Sequence, residues 1–465
     1  MSAAKIADRA LAVLAGVLLV SLAIAAWHDV SKGWDVWYYH LPFAARISGL
    51  IEPSTYAFGR LNQARYDGFP LLGEALQGLL WRITGRPECA AFVSLAAVPG
   101  LAWFLKKTMG VPPHIAVLAL LAIPLVQIHA TGCYVDLAAN ACVTMLAMLL
   151  YRQIVRREAP SLPVLAAGAV LAIAAANTKF QLVPVVVVTA VALVATALRR
   201  DTQRRARLLV IAVALPLVFA TPLKNTVRHG NPVWPVEIHL LGTSLPHLEG
   251  AYASSPDWLA DVPRPARWSA SVLELGLRPI ASHARWSLDQ WTPPREPGYR
   301  MGGFFSGYVL VNVAALVLAA FVRRSRETTV ALWVAGGATV VASVMPQSHE
   351  LRYYLFWMLL LVSLNLVVWS RERPVTVGVV AALALSIVAW STGGAYLYAS
   401  GDSFATLVKD HVDGAALERV SPGERVCVAR SPWTFLYAPR FHAERTYTVQ
   451  EAEDATECAG ARPLE

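Results

Sequence analysis

Long stretches of the chain are nearly free of charged side chains. Apolar runs near the length that crosses a bilayer recur at residues 10–27, 89–105, 114–130, 134–151, 162–178, 181–198, 208–223, 304–322, 328–345, 351–369 and 375–397. That makes about eleven spans by a window of roughly 20 apolar residues, several of them short. The pattern predicts an all-α polytopic membrane protein. No repeat of fixed period is visible, and the two halves show no inverted symmetry of the transporter kind.

The polar residues between the runs set the sidedness. Short loops rich in Lys and Arg stay cytoplasmic. Starting inside with Lys5 and Arg9, the basic connections are Lys106 and Lys107; Arg152, Arg156 and Arg157; Arg199, Arg200, Arg204, Arg205 and Arg207; Arg323, Arg324 and Arg326; Arg371 and Arg373. All fall on one side, which predicts a cytoplasmic N-terminus and an outside C-terminal tail. The first run lacks an A-x-A-like cleavage site and is expected to be a retained helix.

Composition agrees: 56% of residues are hydrophobic and 15% charged, with mean hydropathy +0.47. These values exclude a soluble enzyme and a disordered chain. The formal charge of +9 is accounted for by topology and needs no nucleic acid. Cys89, Cys133 and Cys142 sit in or beside spans, where a free buried thiol is the default. Cys427 and Cys458 share the outside tail, where pairing and free thiols are both open.

A membrane region, 1–397, is thus expected to carry outside loops at 28–88 and 224–303 and a tail domain at 398–465. In PLLGEALQGLLWRITG, Leu72, Leu76, Leu79 and Ile83 fall on one helical side and Glu74, Gln77 and Arg82 on the other, which predicts an interfacial helix lying on the membrane. The second loop is dense in Pro, Trp, Arg and His, an ordered loop with short helices such as SASVLELGL. The strand-like RVCVA and RTYTV, separated by SPWTFLYAPR, predict a small mixed α/β cap.

Candidate chemistry gathers on the outside. In KGWDVWYYHLPFAARI, Asp35 follows the first span among Trp34, Trp37, Tyr38, Tyr39 and His40. A lone acid at an interface is ordinarily solvated and idle, but this aromatic density suits a wall that orients a ligand. Tyr66, Asp67 and Glu74 of the same loop join that candidate pocket. Asp136 opens a later span from the same side; a charge at a helix N-terminus needs no function, yet acids within spans usually face a cavity and a partner. Two such carboxylates suit a base and an orienter.

Cations are uncommon in outside loops, so Lys179 in NTKFQLVP, His349 and Arg352 in HELRYYLFW, and Arg228 in KNTVRHGNPVWP are candidates for binding a phosphate. Snorkelling to the interface is the functionless explanation of Lys179, and GNP reads first as a turn. No Walker loop, G-x-S-x-G, H-E-x-x-H or C-x-x-C occurs. A divalent cation held by Asp35 with Asp67 or Glu74 stays open.

Acids for proton transfer, cations for phosphate and aromatics for a sugar face together describe glycosyl transfer from a lipid phosphate. The order of GWDVWYYHLP, YVDLAANA, NTKFQLVP, GNPVWP and HELRYYLFWMLLL over roughly the first 370 residues resembles integral-membrane glycosyltransferases of the GT-C class. The branch it is similar to holds the protein O-mannosyltransferases and the aminoarabinose transferases acting on lipid A.

The resemblance implies a polyprenyl-phosphate-linked sugar donor, membrane-parallel helices in a periplasmic first loop, and inversion at the anomeric carbon. It also implies a bacterial inner-membrane location and a lipid, glycan or protein acceptor. Asp35 matches the acid that acts on the acceptor hydroxyl, Lys179 the basic residue near the donor phosphate, and Arg352, more loosely, a phosphate or structural arginine. The first loop lacks the adjacent acid pair of metal-dependent oligosaccharyltransferases, which argues against en bloc transfer. A flippase for lipid-linked sugar needs similar groups but predicts broken helices and polar groups near mid-bilayer. A non-catalytic assembly partner in cell-envelope synthesis is a third reading.

Overall fold

The computed structural model describes residues 2–198, 203–240, 242–252, 254–275, 282–293, 295–442, 446–453, 458 and 461–464. Seven helices in them are long and apolar enough to cross a membrane: Ala3–His28, Pro87–Met109, Asp136–Arg156, Phe180–Leu198, Ser306–Arg323, Arg326–Val344 and Pro374–Ser391. This is a multi-pass membrane protein. The first helix shows the pattern: Leu11, Ala15, Leu18 and Leu22 are buried along one side, while Val13, Val17, Val20 and Ile24 are exposed. Such a row is the ordinary outer face of a helix in lipid.

Two expected spans are broken. Pro113–Leu121 and Pro124–Ala130 meet at 99°, and Arg204–Val218 and Ala220–His229 at 50°. The cause is local in both. Proline restricts the residue before it to extended backbone, as at Ile123 (φ −91, ψ 116). Pro222 cannot donate to the carbonyl of Val218, where its helix stops. Leu162–Ala176 and Phe356–Trp369 are shorter apolar helices. The expected count of eleven is reached only if both bent pairs and both short helices also cross.

Phe356–Trp369 occupies the centre, with every residue from Phe356 to Val368 buried. At 1.5 Å per residue it spans about 21 Å, short of the ~30 Å hydrocarbon thickness. The expected span 351–369 therefore starts later, and residues 345–355 run irregularly before it. Buried irregular backbone needs partners. Asn140 supplies them: its Nδ2 donates to the Arg352 carbonyl at 3.2 Å and its Oδ1 accepts from the Phe356 N–H at 2.8 Å. That pins the segment carrying His349, Glu350 and Arg352 against the Asp136–Arg156 helix.

The amphipathic helix Leu72–Thr84 forms with its polarity turned inside out. Leu76, Leu79 and Ile83 are exposed, whereas Glu74 and Gln77 are buried beside Gly73, Gly78 and Trp81. Gly78 is required here, since a Cβ would lie 2.2 Å from the Ala44 carbonyl oxygen.

The tail shares its sheet with the first loop. Tyr56–Ala57, Thr448–Ala452, Arg425–Ala429 and Arg462–Leu464 pair in that order, all parallel. Glu451 joins the two pieces, accepting from Tyr56 Oη at 2.6 Å, the Gly59 N–H at 3.0 Å and Asn62 Nδ2 at 3.0 Å. Cys427 and Cys458 form a disulfide. The expected strand RTYTV begins at Arg445, outside the described residues, and the observed strand starts at Thr448. In the second loop the helix is Arg264–Val272; the end of SASVLELGL, Gly276 and Leu277, lies outside the described residues.

Candidate active site

The turn after the first helix sets the site. Val36–His40 is one π-helical turn, a wide turn with i to i+5 bonding. It sends Asp35, Tyr39 and His40 to one side, where all three line a cavity of about 560 Å³. Val36, Trp37 and Tyr38 turn inward and are buried. That volume suits a small organic ligand.

Charge lines the cavity in pairs. Arg352 Nη1 donates to Asp35 Oδ2 at 2.9 Å and its Nη2 to Tyr353 Oη at 3.1 Å. Lys179 Nζ lies 2.7 Å from Asp136 Oδ1 and 4.7 Å from the centre of the Tyr353 ring. His40 Nδ1 and Glu74 Oε1 are 2.7 Å apart. Arg65 grips Glu249 with two donors, Nε at 3.0 Å and Nη2, and stacks over Tyr38 and Tyr39. Tyr252 completes that wall.

These pairings shape acidity. Burial pushes the Asp35 carboxyl up, but Arg352, His40 and Lys179 outweigh it and hold it below the ordinary aspartate range. Burial, with Asp35 beside it, keeps the Tyr39 phenol un-ionised. Burial pushes Glu350 up to about 8 and His349 down to about 4.

The expected residues divide into three groups. Asp35, Tyr39, His40, Glu74, Lys179 and Arg352 line the cavity. Asp136, with no exposed surface, stands outside the lining and holds Lys179. The remaining candidates are elsewhere. Trp37 stacks on Phe404 in the seam beneath the tail. Tyr38 faces Arg430 at a separate crevice of about 10 Å³, too small for a sugar.

Tyr66 packs on Phe43 and Phe58. Asp67 accepts from Gln63 at 3.1 Å. His349 is fully buried beside Glu350, and Arg228 is exposed on its helix. For Tyr66 the cause is helical rotation: it follows the lining residue Arg65 on one helix and points another way.

Arg65, Glu249, Tyr252, Tyr353 and Glu350 were not anticipated. Arg65 carries the signal that singled out Lys179, a cation in a loop that the charge pattern assigns to the outside. Glu249 has none, being 184 residues from its partner. Among the described residues no three of His, Cys, Asp or Glu converge as metal ligands. The acids considered for a divalent cation are engaged separately: Asp35 with Arg352, Glu74 with His40, Asp67 with Gln63.

Two solved structures share this architecture over nearly the whole chain. The chain is similar to ArnT from Cupriavidus metallidurans bound to undecaprenyl phosphate, with TM-score 0.54 and 14% identity, over 98% of this chain and 87% of that one. The apo state of the same ArnT gives TM-score 0.51 and 15% identity, over 99% and 90%. At this identity the likeness concerns the fold. No protein-family model and no curated protein matches the sequence.

Proposed function

We propose that this protein transfers a sugar from a polyprenyl-phosphate donor to an acceptor hydroxyl, at the outer face of a bacterial inner membrane. The observation that carries the reading is the cavity in which Asp35, Arg352 and Lys179 meet at the ends of apolar helices. The ArnT structure of like fold is bound to undecaprenyl phosphate, a ligand of the chemistry these cations suit.

In this mechanism the acceptor oxygen bonds to the anomeric carbon as that carbon's bond to the phosphate oxygen breaks. Asp35 takes the hydroxyl proton. Polyprenyl phosphate leaves with the bonding pair, and Lys179 and Arg352 face the charge growing on it. Arg352 turns from Asp35 toward the phosphate, which frees the carboxylate to act as base. Asp136 keeps Lys179 in place. The loop charges orient the chain with its N-terminus in the cytoplasm and its tail in the periplasm.

A flippase is the second reading, favoured by the 99° break at Ile123. Against it, the broken backbone is packed into the protein, with the Leu125 N–H donating to the Gly303 carbonyl at 2.9 Å, and neither half of the pair lines the cavity. The deciding experiment gives the purified chain polyprenyl-phosphate sugars and compares it with Asp35→Asn. Loss of transfer with donor binding retained is expected. Unchanged turnover removes Asp35 from the mechanism, and lipid flipping without transfer in proteoliposomes establishes the second reading.

A further inference from the structure

The charged pairs at the cavity cancel one another: Asp35 with Arg352, Asp136 with Lys179, Arg65 with Glu249. Glu74 beside His40, Glu237 and Arg264 line the cavity as well, and one further ionisable group lies behind the wall against Arg352. Glu350 is that group. It is 2% exposed and lies outside the cavity wall. Its Oε1 accepts from the Gln290 N–H at 3.1 Å. Its Oε2 and the Nε of Arg352 lie 4.0 Å apart, and neither has a hydrogen-bond partner among the described residues.

We propose that Glu350, buried behind the cavity wall 4.0 Å from Arg352, is a positioning residue that controls how much of the guanidinium's charge is left to Asp35 and an incoming lipid phosphate. This rests on the donor reading given above.

The groups facing Glu350 are Arg352 and His349 on its own segment, Asp289 from the segment before Gln290, and Asp35 from the first loop. Burial, the largest influence, disfavours its anion, Asp289 and Asp35 add to that, and Arg352 opposes them. His349 offers no compensating charge, since burial and Arg267 keep it neutral. With Glu350 protonated the cluster of Asp35, Arg352 and Glu350 is neutral. Once it ionises the cluster is negative and repels a phosphate dianion.

The test measures binding of undecaprenyl phosphate to the detergent-solubilised full-length chain by quenching of tryptophan fluorescence. Between about pH 7 and about pH 9.5 the wild-type Kd is expected to rise about tenfold, with its midpoint near the value where Glu350 ionises, the size of an ordinary coupling between sites. Glu350→Gln, which keeps the shape and cannot ionise, is expected to bind as the wild type does at neutral pH and to stay level across the range. An equal alkaline loss in wild type and variant overturns the proposal, and so does a level wild-type profile, which needs no variant to fold. No binding at any pH fails differently: it removes the donor reading and this inference with it.

Discussion

Lys179 and Asp136 form an ion pair at 2.7 Å in which the acid has no exposed surface and the lysine almost none. Breaking such a pair leaves a buried charge alone, at a typical cost of about 3–5 kcal/mol, whereas replacing both partners is far milder. Asp136→Ala is therefore expected to lower the thermal unfolding midpoint markedly. The double variant Asp136→Leu, Lys179→Met is expected to restore most of it while leaving donor affinity lost. Both are read by thermal unfolding and lipid-phosphate binding. A double variant that binds donor normally would show that Lys179 is structural.

Asp35→Asn is expected to lower kcat by about 100-fold or more, in keeping with loss of a general base, while donor Kd is retained or lowered, since Arg352 loses its anionic partner. Asp35→Glu keeps the carboxylate but lengthens it against Arg352, and an intermediate rate is expected. Single-turnover transfer and equilibrium donor binding separate the two effects.

The acid side of the pH profile tests the Asp35 and Arg352 pair. Arg352 is the largest of the influences that hold Asp35 below the ordinary aspartate range, so its base form persists as pH falls. With Arg352→Gln that influence is gone and burial dominates. The acid limb of kcat/KM is expected to move to higher pH. The sign for stability is the same: a depressed carboxyl contributes above its unfolded value, and the contribution is lost as pH falls through the folded one. An acid limb that stays in place in Arg352→Gln would separate Asp35 from the rate.

The disulfide between Cys427 and Cys458 closes a sequence separation of 31 residues. A loop of that size contributes about 3–4 kcal/mol in the chain-entropy description. Because the tail sheet borrows Tyr56–Ala57, reduction is expected to loosen the first loop too. Limited proteolysis with and without reductant, read at residues 50–60 as well as in the tail, checks this; cleavage confined to the tail would show the shared strand to be incidental.

Much of this was legible in the chain. Helix positions follow from apolar runs, and Asp35, Lys179 and Arg352 stood out because acids and cations at outer helix ends are conspicuous against the charge rule. Where the reading went astray, three-dimensional geometry was the reason. The π turn at Val36–His40 decides that Tyr39 and His40 face the cavity and Trp37 and Tyr38 do not, and five neighbouring letters carry no mark of it. Proline broke two spans that hydropathy alone joins. Glu249 reaches Arg65 only through the fold. The polar face of Leu72–Thr84 was visible as periodicity, but the direction it faces was not.

That helix has a consequence for what holds the site together. Its leucines and isoleucine look outward, while Glu74 looks inward to His40 at the cavity. In water that orientation would be unfavourable, since apolar burial drives helices the other way. Hydrocarbon reverses the preference. Lipid against the exposed Leu76, Leu79 and Ile83 is thus expected to support the pocket floor, and the polypeptide alone does not fix where His40 finds its partner. A protein stripped of its surrounding lipid keeps every residue of this site and loses one of its walls' supports.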